Sequence, residues 1–421
     1  MGQNQTRCQV RIGGQTIEEI KDFTYRSDCL AVGDEAHFTA ANLKKKYTGS
    51  LRVGQDVEFL LSNPQVNGGQ WTTKHTGLIT VRDQSADQSG SVVKITSNDL
   101  GWHLQNNAAP LWFNLRKAKF VDLVDPSRTF RDRRGQQIAF IDQSWGIKGY
   151  RVSDNSLNRL IKAGLRQGVA EVAANAQRVL DPVFAIQVDP GDSVYDVMSQ
   201  YAKRINALVN VTVDKYLQIW RPDYNRKPAF KIRNVAGGRD NNVIRAPQMH
   251  EELRGQYTQV ECIGNQIGYQ GPQDPNNPNA SKKRGSIYHP DLLPFLRRLT
   301  FSDGQMYARG LAQKAAEWRY KRELFGSWYV TYVVEGHHQD GVWYEADQLV
   351  DIEDDDLGLS GYFWCSAADY AVSKTDGDLT TLTIRKPGLL TAAFGVLPNP
   401  PTVRSSSKEA SANGKVQETR P

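Results

Sequence analysis

The chain has 421 residues, of which 39% are hydrophobic and 23% charged, and it carries a formal net charge of +6. This composition excludes a disordered chain, and the length gives room for about two to four domains with cores of their own. The small basic excess gives no argument for a dedicated nucleic-acid binder, which concentrates its charge on one face.

Cys8, Cys29, Cys262 and Cys365 show no CxxC spacing, so they read as reduced thiols rather than zinc or redox ligands. There is no run of about 18 apolar residues and no apolar N-terminal region, so membrane insertion and a signal segment are not expected.

The first hundred residues read as β structure. "CQVRIGG" and "DVEFLLS" are short runs of β-formers, and "GLITVRDQSADQSGSVVKIT" is two such runs around a Gly/Ser/Asp turn. In "SVVKIT", Val93 and Ile95 fall on one face, opposite Val92, Lys94 and Thr96. From about residue 106 the chain becomes mixed and basic. Leu157, Leu160, Ile161, Leu165, Val169, Val172, Ala176 and Val179 then recur at helical steps.

"VFAIQV" at 183–188 reads as a strand. In "DPGDS", Asp192 or Ser193 can cap a helix containing Val194, Val197, Met198 and Tyr201, and a hairpin turning near Lys215 follows. Residues 229–264 read as three further strands, and 265–286 as a long Gly/Pro/Asn-rich exposed loop. A helix is expected over 303–323, with Ser302 and Gln305 spaced as a capping box. The stretches "SWYVTYVVEG", "VWYEADQLVDIED", "GYFWCSAADYAVS" and "LTTLTIRKP" are β-rich, and the last residues form a tail without a core.

A weak internal repeat links the two ends. "GQDVEFLL" followed by "TGLITVRDQSADQSGSVVKIT" has the same strand–loop–strand–turn–strand order as "ADQLVDIED" followed by "SGYFWCSAADYAVSKTDGDLTTLTIR". The expected fold is α+β but mostly β, with two small β-barrels and α/β material inserted between them. The expected boundaries are a first barrel over 1–105, a mixed helical insertion over 106–180 and a strand–helix–hairpin unit over 181–228. A second barrel follows over 229–390, containing the helix and the mobile loop, and then a flexible tail over 391–421.

Evidence for chemistry is thin. Gly191-Asp192-Ser193 matches the short block of GDSL esterases, but a serine nucleophile needs a histidine base held by an Asp-x-x-His pattern. The nearest approach is Glu335-x-x-His338. The same stretch resembles the sugar-binding LysM module, although that module's second helix is replaced here by a hairpin. Gly191, Asp192, Ser193 and Tyr195 are therefore candidate glycan contacts. His337, His338, Glu335, Asp340 and the acidic run Asp351–Asp356 bring together metal-ligand types. Adjacent strand residues face opposite ways, however, so the histidines do not share an ion, and the acidic run reads as solvated hairpin charge. The basic stretches at 44–46, 131–134, 281–284 and 319–322 are dispersed, and no phosphate loop or zinc-protease motif occurs.

Three segments together carry a family resemblance. They are "VDPGDSVYDVMSQYAKRINALVNVTVDKYLQIWRP", "YTQVECIGN" and "AQKAAEWRYKRELFGSWYVTYVVEGHHQDGVWYEADQLVDIED". In this combination, over roughly 180–390, the chain resembles the Mu-like baseplate hub proteins of contractile-tailed phages, relatives of the late control gene D family. The resemblance implies a structural protein without catalytic residues, metal or cofactor. It implies a homotrimer in which each subunit gives two similar β-barrels to a ring. That ring would join a hexameric tail tube to a trimeric central spike, contact other baseplate and wedge proteins, and let DNA pass. Its place would be the tail of a virion or tail-like particle assembled in the host cytoplasm. Loop 265–286 and the tail are expected to act as contact arms in the particle. The competing expectation is a peptidoglycan-binding module built on 181–222.

Overall fold

Alternation of apolar and polar residues makes strands at both ends of the chain, and the computed structural model pairs those strands into one sheet system. It describes residues 6–17, 20–41, 51–87, 90–110, 120–131, 135–153, 190–204, 207–264, 284–303, 309–373 and 377–390. The helix expected over Leu157–Val179, the strand at 183–188, most of the loop 265–286 and the tail from 391 lie outside these residues.

The first half contributes β1 (Arg7–Ile12), β2 (Gln15–Ile17), β3 (Ile20–Asp28), β4 (Glu35–Ala41), β5 (Asp56–Ser62), β6 (Thr72–Asp87) and β7 (Gly90–Asp99). Val93 and Ile95 are buried, as their alternation requires. An α/β insertion follows, with α1 (Gly101–Asn106), α2 (Phe120–Val124), β8 (Thr129–Arg131), β9 (Gln137–Ala139), β10 (Gly149–Val152), α3 (Val194–Arg204), β11 (Leu208–Val211) and β12 (Tyr216–Trp220). Here the hairpin β11–β12 turns at Lys215, whose φ is 70°, and β12 also pairs in parallel with β10. Val197, Met198, Leu217, Ile219, Leu104 and Leu123 close a separate apolar core for this insertion.

The second half supplies β13 (Phe230–Asn234), β14 (Gln248–Glu251), β15 (Gln259–Gly264), β16 (Arg284–Tyr288), β17 (Arg298–Asp303), α4 (Arg309–Gly326), β18 (Trp328–Glu335), β19 (His338–Gln339), β20 (Val342–Trp343), β21 (Gln348–Asp354), β22 (Leu359–Ser373) and β23 (Gly377–Arg385). The capping box expected at Ser302 is corrected by this assignment. Ser302 lies in β17 opposite Ile263, and the described helix begins at Arg309. The β-branched and aromatic run Arg298-Leu-Thr-Phe continues the small sheet β16-β15-β17, and pairing along β15 outweighs the local cap signal. Ala312, Ala315 and Ala316 let α4 lie close on that sheet.

Thirteen strands share one sheet system, in the order β14-β18-β23-β22-β3-β4-β7-β6-β5-β1-β2, with β13 and β21 branching from β22. The fold is therefore mostly β. Both halves contain the same antiparallel four-strand order, β5-β6-β7-β4 and β21-β22-β23-β18. Each has a register shift at the same row, between Ile79 and Val81 in β6 and between Cys365 and Ala367 in β22. The extra residue of each bulge carries a hydroxyl placed beside the same carbonyl. Ser366 Oγ donates to Thr383 O at 3.2 Å, and Thr80 Oγ1 lies 3.3 Å from Thr96 O while donating at 2.5 Å to Asn98 Oδ1. A bulge bends its strand and strengthens the local twist, so the two long hairpins are curved at matched points.

The halves meet where β22 pairs with β3, Ala367–Ser373 against Asp28–Asp22. Phe23, Phe38, Phe59, Tyr332, Ile352 and Ile384 belong to one continuous core across that joint.

Candidate functional site

The 190–196 turn is held by reciprocal capping. Ser193 Oγ and Ser193 N–H both donate to Asp196 Oδ2, at 2.7 and 2.9 Å, and Asp196 N–H donates back to Ser193 Oγ at 3.1 Å. Of the two capping candidates, Ser193 takes the role, at the residue before α3. Gly191 turns the chain with φ of 105°. The turn is clamped to the end of α1, since Ala109 N–H donates to Asp192 O at 2.8 Å and Val194 N–H to Asn107 O at 3.0 Å. Gly191 is exposed, Asp192, Ser193 and Tyr195 are half-buried, and burial pushes the Tyr195 phenol above its usual range. Chain adjacency brings the four candidate glycan contacts together. Among the described residues no histidine hydrogen-bonds Ser193, so its hydroxyl has no base of the kind an esterase needs.

The metal-ligand types of the second half are dispersed by the fold. Among the described residues no group of three or more His, Cys, Asp or Glu side chains is gathered. The acidic run is not all solvated. Asp354 is 2% exposed and accepts from Tyr332 Oη at 2.8 Å, Asn234 Nδ2 at 3.0 Å, Asp356 N–H at 3.0 Å and Leu357 N–H at 3.1 Å. It organises the β21–β22 turn, which an acidic stretch read without its partners does not disclose. His337 is buried, with Nδ1 2.8 Å from Thr380 Oγ1, whereas His338 packs edge-on against Trp343.

The densest set of perturbed groups lies at the joint between the halves. The Lys74 ammonium of β6 is buried, pairs with the Glu345 carboxylate, and lies 4.8 Å from the Trp343 ring centre. Burial lowers its pKa against the opposing pull of Glu345. Tyr25 of β3 stacks on Tyr370 of β22 with centroids 5.6 Å apart, and its hydroxyl donates to Asp34 Oδ2 at 2.8 Å. Burial holds the Asp34 carboxyl up at about 6 and pushes His75 and His337 down to about 3. The Tyr370 hydroxyl donates to the Tyr344 carbonyl. These groups rivet two segments more than 200 residues apart, and nothing among them is arranged as a nucleophile with its base.

Beside this joint a cleft of about 420 Å³ opens between Cys8, Phe23, Trp71, Val372 and Asp378. Burial and the Asp378 charge push the Cys8 thiol up to about 12, which favours its protonated form.

No protein-family model matches the sequence, and no curated protein matches it either. Known structures do match its fold, and tail proteins, one of them from a prophage, are among them. The tail protein from Neisseria meningitidis MC58 superposes with a TM-score of 0.63 at 16% identity, covering 92% of this chain and 98% of that one. The 43 kDa tail protein of prophage MuSo2 from Shewanella oneidensis gives 0.63 at 15%, covering 91% and 98%. A chain of the Francisella PdpA-VgrG complex gives 0.52 at 10%, covering 96% of this chain and 54% of that one.

Proposed function

We propose that the protein is the structural baseplate hub of a contractile phage tail or tail-like particle. In this reading it is a homotrimeric ring that joins a hexameric tail tube to a trimeric central spike, touches other baseplate proteins, and leaves a bore for DNA. Its place is the virion tail, and it carries no catalysis.

The observation that carries the reading is the matched pair of bulged meanders, β5-β6-β7-β4 and β21-β22-β23-β18, within a fold shared with tail proteins. Three chains with two alike units present six alike positions, so a threefold ring can face a sixfold tube on one side and a threefold spike on the other. Barrel closure of the first unit is supported by β2 and β3. They are separated by two residues only, and together they reach β1 at one end and β4 at the other. The proposed barrels span 1–105 and 229–390, with the insertion 106–180 and the LysM-like unit 181–228 between them and 391–421 as a tail. End-on negative-stain imaging with light-scattering mass tests this. A threefold ring of six lobes is expected, and monomers at every concentration would count against the ring.

The competing reading, peptidoglycan binding through Gly191, Asp192, Ser193 and Tyr195, is favoured by the exposure of Gly191 on a rigid, capped turn. Co-sedimentation with purified peptidoglycan, lost on Tyr195→Ala, would support it.

A further inference from the structure

The two halves can be superimposed row by row through their pairings. In the first half, Ile79 faces Ser97, Ser97 is in the row of Ala36, and Ala36 faces Tyr25. In the second, the same walk runs from Cys365 to Ile384, Val330 and Met249. Thus β6 corresponds to β22, β4 to β18, and β14 to the middle of β3.

This correspondence exposes an asymmetry. Beyond its bulge, β22 is bordered by β23 on one side and β3 on the other. Beyond its own bulge, β6 is bordered by β7, and among the described residues no strand lies on its other edge. Val81 there is 48% exposed, and Asp83, Gln84 and Ser85 are exposed as well. The strand that corresponds to the missing neighbour is β14. It ends the sheet order, all four of its residues are exposed, and Met249 is 46% exposed. Among the described residues, one molecule therefore carries an edge without a neighbouring strand and a strand of the kind that fills it. Long unpaired edges of this sort pair with another chain unless they are covered.

We infer that β14 of one copy adds to the open edge of β6 in the next, repeating between chains the joint that β22 and β3 make within one. Carried over from the internal register, where Tyr370 faces Tyr25, Gln84 faces Met249 of the neighbour. Asp83 then faces His250, Arg82 faces Glu251, and Ser85 faces Gln248. The charges fit. In the internal joint Asp369 stands opposite Arg26, with Oδ1 3.7 Å from Nε, and Asp83 and His250 occupy those same two places. Arg82 against Glu251 is an opposite pair, and directly opposed unlike charges favour strand pairing. Along β6 and β22, Asp83 and Asp369 are the one identical pair at matched positions. The contact is head-to-tail, and such a contact closes into a ring of three when its rotation is a third of a turn, as the proposed trimer requires.

This inference rests on the trimeric part of the proposed function, and two measurements separate them. Gln84→Cys with Met249→Cys, in full-length protein with Cys8→Ser, would bring two sulfurs within disulfide reach across the joint. Mild oxidation is expected to give covalent dimers and trimers on a denaturing gel, and neither single cysteine variant should do so. Arg82→Glu is expected to weaken assembly at least tenfold by light scattering, with Glu251→Arg in the same chain restoring it. A trimer by mass that shows neither cross-linking nor charge rescue overturns the strand pairing while leaving the ring. A disulfide formed within one chain overturns it too. Protein that stays monomeric at every concentration overturns the ring, and the pairing with it.

Discussion

Lys74 and Trp343 are separated by most of the chain, yet the Lys74 ammonium lies 4.8 Å from the centre of the Trp343 ring and is 5% exposed. Its anionic partner, Glu345, has a side chain 50% exposed. The cation thus bears most of the desolvation of the pair, and the carboxylate, partly hydrated, offsets it.

That imbalance sets opposite outcomes for two substitutions. Glu345→Gln strands a buried ammonium and is expected to cost about 2 kcal/mol, less than for a fully buried pair because Glu345 half faces solvent. Lys74→Met removes the buried charge while keeping the bulk, and is expected to change stability by less than about 1 kcal/mol. Chemical denaturation of both variants checks this. Equal losses would mean that the ammonium is hydrated in the fold.

His337 gives the joint a dependence on pH. Burial, then the charges of Lys74 and His338, push its imidazole from 6.5 down to about 3, so it is neutral in the folded protein. The unfolded chain takes up a proton below about 6.5. The stability His337 contributes is therefore whole above that pH and is lost as pH falls toward 3, by about 1.4 kcal/mol per pH unit. Asp34, held up at about 6 by burial, acts with the opposite sign: the fold keeps its proton first, so it favours folding as pH falls from 6 toward 3.8. Between pH 6.5 and 5, wild type is expected to lose about 2 kcal/mol more than His337→Gln. Equal losses would show that His337 protonates without unfolding the joint.

Asp354 is expected to be worth more than any other member of its acidic run, because four donors converge on it inside the fold. Asp354→Ala leaves the Tyr332 hydroxyl and two backbone amides without their acceptor and should cost about 3 kcal/mol. Tyr332→Phe should cost about 1 kcal/mol alone and almost nothing on top of Asp354→Ala. Additive losses in that cycle would refute the shared network.

Ser193→Ala should lower stability by about 1 kcal/mol through loss of the α3 cap, while Ser193→Asp restores most of it. Thermal unfolding of the pair checks this, and a loss unrelieved by aspartate would assign the hydroxyl some other duty.

The residues differ in how openly they declared these roles. The cap at Ser193 was legible because its partner is three residues away. The strands of the two meanders were legible from alternation, and their repetition from the order of strands and turns. The β22–β3 joint was not, since nothing local in Ala367–Ser373 names Asp22–Asp28 as its neighbour. The burial of Lys74 follows from that joint, and so it was equally hidden. Asp354 looked like solvated charge because an acidic run reads alike whether its donors are water or Tyr332. At Ser302 the local signal misled: a serine followed three residues later by glutamine suits a helix start, but β15 offered a longer-range pairing that won.

Thr80 and Ser366 have a consequence of another kind. With a hydroxyl beside the equivalent carbonyl in each, the two hairpins hold one geometry under two nearly unrelated sequences. Each hairpin is thereby the other's control experiment. Where the two agree in chemistry, as at Thr80 and Ser366, they report what the shape itself demands. Residues that differ mark where each half of the molecule meets surroundings of its own.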